Sequence, residues 1–460
     1  PPASWIGWLA LSSYLGCYLP AFVGLARIAV HRLRCPVTVA APVIWTGLEL
    51  AQAHVLTGYS LPLGNTQYRW ISLIQISDLT GAYGVSFVLM LAAACLARTW
   101  PCGPRGWSAW PLAPLAAVVA SVLAYGHWRL GTADSRPGPK VALIQGSVDS
   151  ELRYDPDKQD VIARQYMALS RVASQAHSDL DLIIWPETMY VDALHTCGDD
   201  VRPPPEWPGT AEQFKAELAK DRSRIGDTAL WLGAPLLLGI DTVHYGRDSV
   251  ERFNSALYVD RHGHLGPRYD KMHLVMFGEY VPLAKQFPWL YKLTPLGGGL
   301  DAGTSLPIFR AGNAKLAANI CYESALAHVV RDQVDRLRRK GDEPDVLVNL
   351  TNDGWFRGSS ALDLHLIFGV FRAVECRKPL VIAANSGFSA SIDANGYIVK
   401  RGPRRDTAVL VANVLLDGRG SLYVRYGDVF AGACLLGAVG CAVIGVRGRY
   451  HPGKAAVAGS

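Results

Sequence analysis

Three residues with complementary chemistry stand at the ends of short apolar runs: Glu187 after IIWP, Lys271 in YDKMHLVMFGEYVP and Cys321 after LAANI. A cysteine becomes a nucleophile when a base removes its proton and a cation or N–H groups hold the oxyanion formed in the attack. Glu187 can serve as that base once desolvation lifts its pKa toward the working pH. Lys271 can supply the fixed positive charge. Each residue alone has a plainer reading. A buried cysteine is commonly a small core hydrophobe, a Glu after Trp-Pro a solvated or capping carboxylate, and a Lys beside Asp270 one half of a surface pair. Placed together at strand ends, the three read as one site.

The elements that must position them follow from the apolar pattern. VALIQGSV (141–148), DLIIWPE (181–187), ALWLGAPLLLG (229–239), SALYVDRHG (255–263), KLAANICYE (315–323), DVLVNLTND (345–353) and PLVIAANSG (379–387) are short apolar runs bounded by Gly, Pro, Asn or Asp. That pattern predicts buried strands. Helical periodicity predicts helices over Asp157–Ala176, Thr210–Lys220, Ala325–Arg339 and Asp363–Cys376. Strands alternating with helices give an α/β domain over 140–428, whose strand ends are where ligands bind. No glycine-rich phosphate loop and no repeat period is visible.

The chain has 460 residues, 50% hydrophobic and 18% charged, with a net charge of 45 − 39 = +6. Half apolar composition is incompatible with disorder. Nine cysteines are too sparse for a disulfide scaffold. The apolar surplus lies at the two ends. Trp5–Val30, Val37–Leu56, Ile71–Ala97, Pro111–Trp128 and Val429–Val446 are nearly free of charge, and each approaches the roughly 20 residues of a membrane-spanning helix. Glu49 and His54 in the second run must find partners. Against only Arg69 between the second and third runs, short segments after the first, third and last carry Arg32, Arg34, Arg98, Arg105, Arg447, Arg449 and Lys454. These mark the cytoplasmic side, so the middle domain is expected on the opposite face. The expected arrangement is N-terminal transmembrane helices over 1–130, the α/β domain, a transmembrane helix over 429–446 and a cytoplasmic tail over 447–460.

WPET (185–188), KMHLVMFGEYVP (271–282) and NICYES (319–324) resemble the Glu-Lys-Cys signature of the nitrilase, or carbon-nitrogen hydrolase, superfamily. Within it the chain is similar to the apolipoprotein N-acyltransferase family, which adds a third acyl chain to bacterial lipoproteins. ALIQGSV, NLTNDGWF (349–356), FRAVECRKP (371–379), NSGFSASIDANG (385–396) and LYVRYGD (422–428) extend the likeness, as do WTGLELAQ (45–52) and LTGAYGVSF (79–87). The resemblance implies an αββα-sandwich domain flanked by transmembrane helices in the bacterial inner membrane, with the catalytic domain periplasmic. Family enzymes carry more N-terminal helices than the four seen here, and the chain begins without Met, so further upstream segments are expected.

By the same resemblance Glu187 is the general base, Lys271 the oxyanion stabiliser and Cys321 the nucleophile that forms a thioester. Glu279 matches a second essential carboxylate, and a buried lysine needs a counter-charge. Tyr322 would donate its backbone N–H to the oxyanion, Glu323 matches a further functional position, and Trp355 a pocket-lining aromatic. For Glu279 the alternative is a turn cap; for Glu323 and Trp355 it is a structural role. No cofactor and no metal are implied. The implied partners are a phospholipid acyl donor, a diacylated apolipoprotein acceptor and membrane lipid, with no nucleic acid, and the chain acts as a monomer. Ile382 stands where the family often has Arg. The polar loop Thr196–Gly209 has no family role, and whether Cys197 and Cys376 pair is open. Met276–Leu300, mixing Phe287, Trp289 and Tyr291 with Lys285 and Lys292, has the composition of an arm at a lipid headgroup layer. The rival readings are a membrane-tethered amidase or nitrilase acting on small amides, and a catalytically silent binding domain.

Overall fold

In the computed structural model Ala133–Arg425 folds as one unit, and Pro1–Thr132 with Tyr426–Ser460 as another. Residues 2–55, 60–100, 107–153, 155–294, 296 and 298–447 are described. Most of the expected tail (448–460) and arm residues 295 and 297 lie outside them.

The larger unit holds two sheets. The first contains β1 (Ser135–Gln145), β2 (Leu182–Ile184), β3 (Tyr190–Cys197), β4 (Leu236–Tyr245), β5 (Val250–Val259) and β6 (Leu265–Asp270). The second contains β7 (Phe309–Ala311), β8 (Ala314–Ile320), β9 (Val346–Thr351), β10 (Leu380–Ala384), β11 (Ala390–Ile392) and β12 (Ile398–Arg401), while β13 (Ala408–Asp417) returns to the first sheet beside β1. The strand order is β13-β1-β2-β4-β5-β6, with β3 added along the far half of β4, and β12-β11-β10-β9-β8-β7. The central strands β1, β2 and β4, and β8, β9 and β10, run parallel.

Side-chain alternation explains the layering. Val141 and Leu143 of β1 join Leu182, Ile184, Leu316, Ile320, Val348 and Leu350 in the core between the sheets. Ala142 and Ile144 point the other way, into a second core with Ile162, Tyr166, Ile225 and Ala229 from helices Pro156–Ala176 and Ala211–Leu232. Helices Ala327–Arg339 and Ala361–Cys376 pack on the second sheet. The result is the expected αββα sandwich.

One local expectation in the larger unit needs correction. ALWL (229–232) is not strand: the helix begun at the Thr210–Gln213 capping box runs to Leu232 and stops at Gly233, whose φ of +68° is left-handed. The strand begins only at Leu236. The three-residue strands β7 and β11 lack a continuous apolar run, whereas β13, also outside the expected set, carries one in AVLVA (408–412).

In the smaller unit, Trp5–His31 and Ala82–Thr99 are helices long and apolar enough to cross a membrane, and Val429–Gly445 is a shorter apolar helix. Val37–Val55 and Leu112–Gly131 are also helical. The single helix expected over Ile71–Ala97 is instead broken into Ile71–Ile74, Ser77–Thr80 and Ala82–Thr99. Gly81, with φ +67° and ψ −174°, takes a conformation open to glycine and ends the second piece. The break presents Asp78 to Arg129 Nε and Tyr125 Oη, both at 2.7 Å, so its buried charge is paired. Glu49 also finds partners: its Oε1 accepts from Trp45 Nε1 and from the backbone N–H of Leu63, each at 2.7 Å. A carboxylate inside an apolar helix thereby fastens the turn Leu63–Gln67.

Candidate active site

Glu187, Lys271 and Cys321 each follow a strand end: β2, β6 and β8. Three distant segments of the chain therefore meet where the two sheets face each other. Lys271 is 1% exposed. Its Nζ lies 2.8 Å from Glu279 Oε1 and 3.3 Å from Glu187 Oε1, so one ammonium is shared by two carboxylates. Burial disfavours that charge, but Glu187, Cys321 and Glu279 outweigh it and hold the lysine protonated, its pKa raised.

Both carboxylates are fixed by further donors. Asn254 Nδ2, on β5, donates to Glu187 Oε1 at 2.7 Å and to Glu279 Oε1 at 3.3 Å. The backbone N–H of Asn352 donates to Glu187 Oε2 at 2.9 Å. Val275 N–H donates to Glu279 Oε2 at 2.8 Å, and the Glu279 carbonyl accepts from Leu300 N–H at 2.8 Å, so the segment returns across this carboxylate. Thr188, just after Glu187, has φ +53°; its carbonyl accepts from Arg153 Nε, whose Nη2 also donates to Tyr190 O at 3.0 Å. Arg153 thus clamps the turn that carries Glu187.

Cys321 opens a 3-10 turn with φ +52°, a strained value for a residue with a side chain. Its carbonyl is held by Asn349 Nδ2 and Ser324 Oγ, both at 3.0 Å. Burial pushes the thiol well above its ordinary pKa, and Glu187 pushes it further while Lys271 pulls back. The resting group is therefore a thiol.

Glu323 is fully buried. Its Oε1 accepts from Tyr269 Oη at 2.8 Å, Met272 N–H at 2.9 Å and His273 N–H at 3.0 Å, and its Oε2 from Ile320 N–H at 2.7 Å. The side chain ties the segment after Lys271 to the strand before Cys321. Tyr322 is the second residue of the turn that Cys321 opens. Trp355, in the turn Asp353–Phe356, is 60% exposed, so it is not part of the core. Phe277, Leu283, Phe287 and Trp289 of the arm are likewise more than half exposed. Cys197 and Cys376 are both free thiols, and Ile382 is an ordinary buried strand residue. Among the described residues no cluster of His, Cys, Asp or Glu is arranged to hold a metal.

Asn254, Arg153, Asn352 and the buried pair Asp353–His365 were not singled out from sequence. Asn352 and Asp353 lie inside NLTNDGWF and carried that signal. Arg153 carried none.

The carbon-nitrogen hydrolase family model matches residues 140–423, more than half of the chain, and the model for the apolipoprotein N-acyltransferase N-terminal domain matches 2–95. The chain is 35% identical to the apolipoprotein N-acyltransferase of Geobacter metallireducens, over 95% of this chain and 79% of that one. This chain belongs to the apolipoprotein N-acyltransferase family. It is 31% identical to the apolipoprotein N-acyltransferase of Rhodopirellula baltica, over 95% and 84% of the two chains. Among solved structures it is similar to an amidase from Nesterenkonia sp. AN1, with 18% identity, a TM-score of 0.41, and coverage of 64% of this chain and 98% of that one. An acyltransferase family on a carbon-nitrogen hydrolase domain makes the chain an enzyme of acyl transfer.

Proposed function

We propose that this enzyme transfers an acyl chain from a phospholipid to the α-amino group of the S-diacylglyceryl-cysteine at the N-terminus of an apolipoprotein, the last step of lipoprotein maturation. The observation that carries the assignment of roles is the Lys271 ammonium held by Glu187 and Glu279 beside a strained cysteine. Glu187 takes the Cys321 proton as sulfur attacks the phospholipid ester carbonyl. Lys271 and the Tyr322 N–H receive the charge on the carbonyl oxygen. Collapse expels the lysophospholipid hydroxyl, protonated by Glu187, and leaves a thioester on Cys321. The neutral amine of the acceptor then attacks the thioester, Glu187 accepts its proton, and the thiol is regenerated. Water competes with the amine, so the thioester must form in a dry setting. Glu279 positions Lys271, Glu323 positions the strand ends, and Trp355 with the exposed arm aromatics contacts acyl chains.

In this reading the protein is a monomer, crosses the bacterial inner membrane several times and holds Ala133–Arg425 on the periplasmic side. The Lys and Arg distribution of the short loops supports that orientation.

The test is intact-protein mass spectrometry of the full chain in detergent with phosphatidylethanolamine, beside Cys321→Ala. The expected result is an acyl-sized mass gain on the wild type alone, removed by hydroxylamine or by a diacylated lipopeptide. Turnover of small amides without any adduct overturns the proposal in favour of a hydrolase.

A further inference from the structure

Behind the nucleophile lies a buried polar chain that the Glu187–Lys271–Cys321 scheme does not use. Thr351 ends β9 and is fully buried, Asp353 is 1% exposed, and His365, on the helix Ala361–Cys376, is 7% exposed. Asp353 Oδ1 accepts from Thr351 Oγ at 2.8 Å and from His365 Nδ1 at 2.7 Å, two donors on one oxygen. Strand register sets Thr351 beside Cys321, because the residues before them, Leu350 and Ile320, are partners across β9 and β8. The other carboxylate oxygen, Asp353 Oδ2, packs against Gly387, where a Cβ would stand 2.0 Å from it. The imidazole is confined between Phe356 and Phe368, with ring centroids at 5.5 and 6.4 Å.

Thr351 owns a single hydroxyl proton and faces two acceptors, Asp353 Oδ1 and the sulfur of Cys321 once it is ionised. An unbalanced Asp353 carboxylate holds that proton and repels a thiolate. A cationic His365 answers both effects by neutralising Asp353 and occupying the oxygen that Thr351 otherwise serves. We infer that His365 is a positioning residue for the nucleophile, acting through Asp353 to release the Thr351 hydroxyl proton toward the Cys321 sulfur as the thiolate forms. The inference rests on the reading of Cys321 as nucleophile. The proton bookkeeping is closed: the thiol proton goes to Glu187, the Thr351 O–H rotates from Asp353 to sulfur without leaving its oxygen, and the imidazolium keeps its proton.

The groups facing His365 come from three elements. Asp353 and Thr351 approach from the end of β9, Glu187 from the end of β2 and Lys271 from the end of β6. Burial opposes the imidazolium and Lys271 adds to that, yet Asp353 and Glu187 prevail, so His365 stays protonated above its usual range. Its contribution is therefore full at lower pH and is lost as pH rises through that raised value.

The experiment reads the thiolate itself. Iodoacetamide alkylation of Cys321 in the full-length protein is followed by peptide mass spectrometry from pH 6 to 10, for wild type, His365→Gln, Thr351→Val and Thr351→Ser. Gln keeps a donor for Asp353 but no charge. About tenfold slower alkylation near pH 7 is expected for His365→Gln and Thr351→Val, with the profile displaced about one unit upward. Thr351→Ser, which keeps the hydroxyl, restores most of the wild-type profile. The same variants are assayed for the phosphatidylethanolamine adduct. Unchanged alkylation profiles in both His365→Gln and Thr351→Val overturn the inference even when wild type forms the thioester. A displaced profile with no thioester in wild type upholds the Thr351 chain and overturns the nucleophile assignment. Should His365→Gln not fold, the Thr351→Val and Thr351→Ser pair decides alone.

Discussion

A single ammonium shared by two carboxylates sets the chemistry at the residue scale. Glu279 takes the shorter contact with Lys271, 2.8 Å against 3.3 Å for Glu187. With Glu279 neutralised, Lys271 would bind Glu187 alone and lower its basicity. Glu279→Gln is therefore expected to slow thioester formation by about 10²-fold, in the range of a lost general base. A stopped time course of the adduct by mass spectrometry checks this, and a wild-type rate would remove Glu279 from the machinery. The raised thiol pKa also sets a pH dependence. A thiol raised above its ordinary value has a smaller thiolate fraction at neutral pH than a free cysteine. Alkylation of Cys321 should be slower at pH 7 than that of a cysteine in an unstructured peptide, and should keep rising with pH past the point where the peptide levels off. A plateau at the peptide's own pH would contradict this.

At the scale of elements, backbone proximity decides where the functional turns sit. Gly239 on β4 lies against the turn that carries Glu187: a Cβ there would stand 2.0 Å from Pro186 O and 2.6 Å from Glu187 Cα. Both contacts are to backbone, so the turn must move. Gly239→Ala is expected to cut adduct formation at least tenfold, because reaction rate is sensitive to ångström-scale misplacement of a catalytic group. An unaltered rate would mean that the turn tolerates displacement. In the smaller unit Gly47 plays a packing role, since a Cβ there would meet Leu435 Cα at 2.7 Å. Small residues permit such close helix approach in membranes. Gly47→Val should lower the detergent-solution melting temperature, measured by loss of soluble protein on heating, while an unchanged transition would show the helices free to separate. The elements themselves were partly legible. Seven apolar runs predicted the buried central strands, because a parallel strand covered on both faces has few polar positions. The three-residue strands β7 and β11 escaped, because so short a segment has no periodicity to read, whereas β13 carries a legible apolar run in AVLVA (408–412).

Across the whole molecule, apolar helices at both chain ends bracket a unit of ordinary polarity, as expected for an enzyme whose acyl donor does not leave the bilayer. The proposed orientation predicts that an alkaline phosphatase reporter fused after Thr132 is active in cells, whereas one fused after Arg34 is inactive. The reverse pattern would place the catalytic unit in the cytoplasm. The broken third run shows how a unit of apolar helices departs from a count of apolar residues. Hydropathy reads Ile71–Ala97 as one span, but Gly81 and the pairing of Asp78 with Arg129 and Tyr125 divide it. A buried charge must meet a partner, and the partner lies on another helix.

By itself the amino-acid sequence determined the class of fold, the apolar ends and the identity of Glu187, Lys271, Glu279 and Cys321 as candidates. Those depend on local pattern and on motifs contiguous in the chain. Only the tertiary structure decided that Glu279 holds Lys271 more closely than Glu187 does, that Glu323 is a buried tie between two strand ends, and that Trp355 is exposed. It alone brought Arg153, Asn254 and His365 to the site. Hydrogen bonds and charge pairing act over about 3 Å, yet the partners here are separated in the chain by anything from 8 positions, for Lys271 and Glu279, to 165, for Glu187 and Asn352, a spread that no single spacing rule spans.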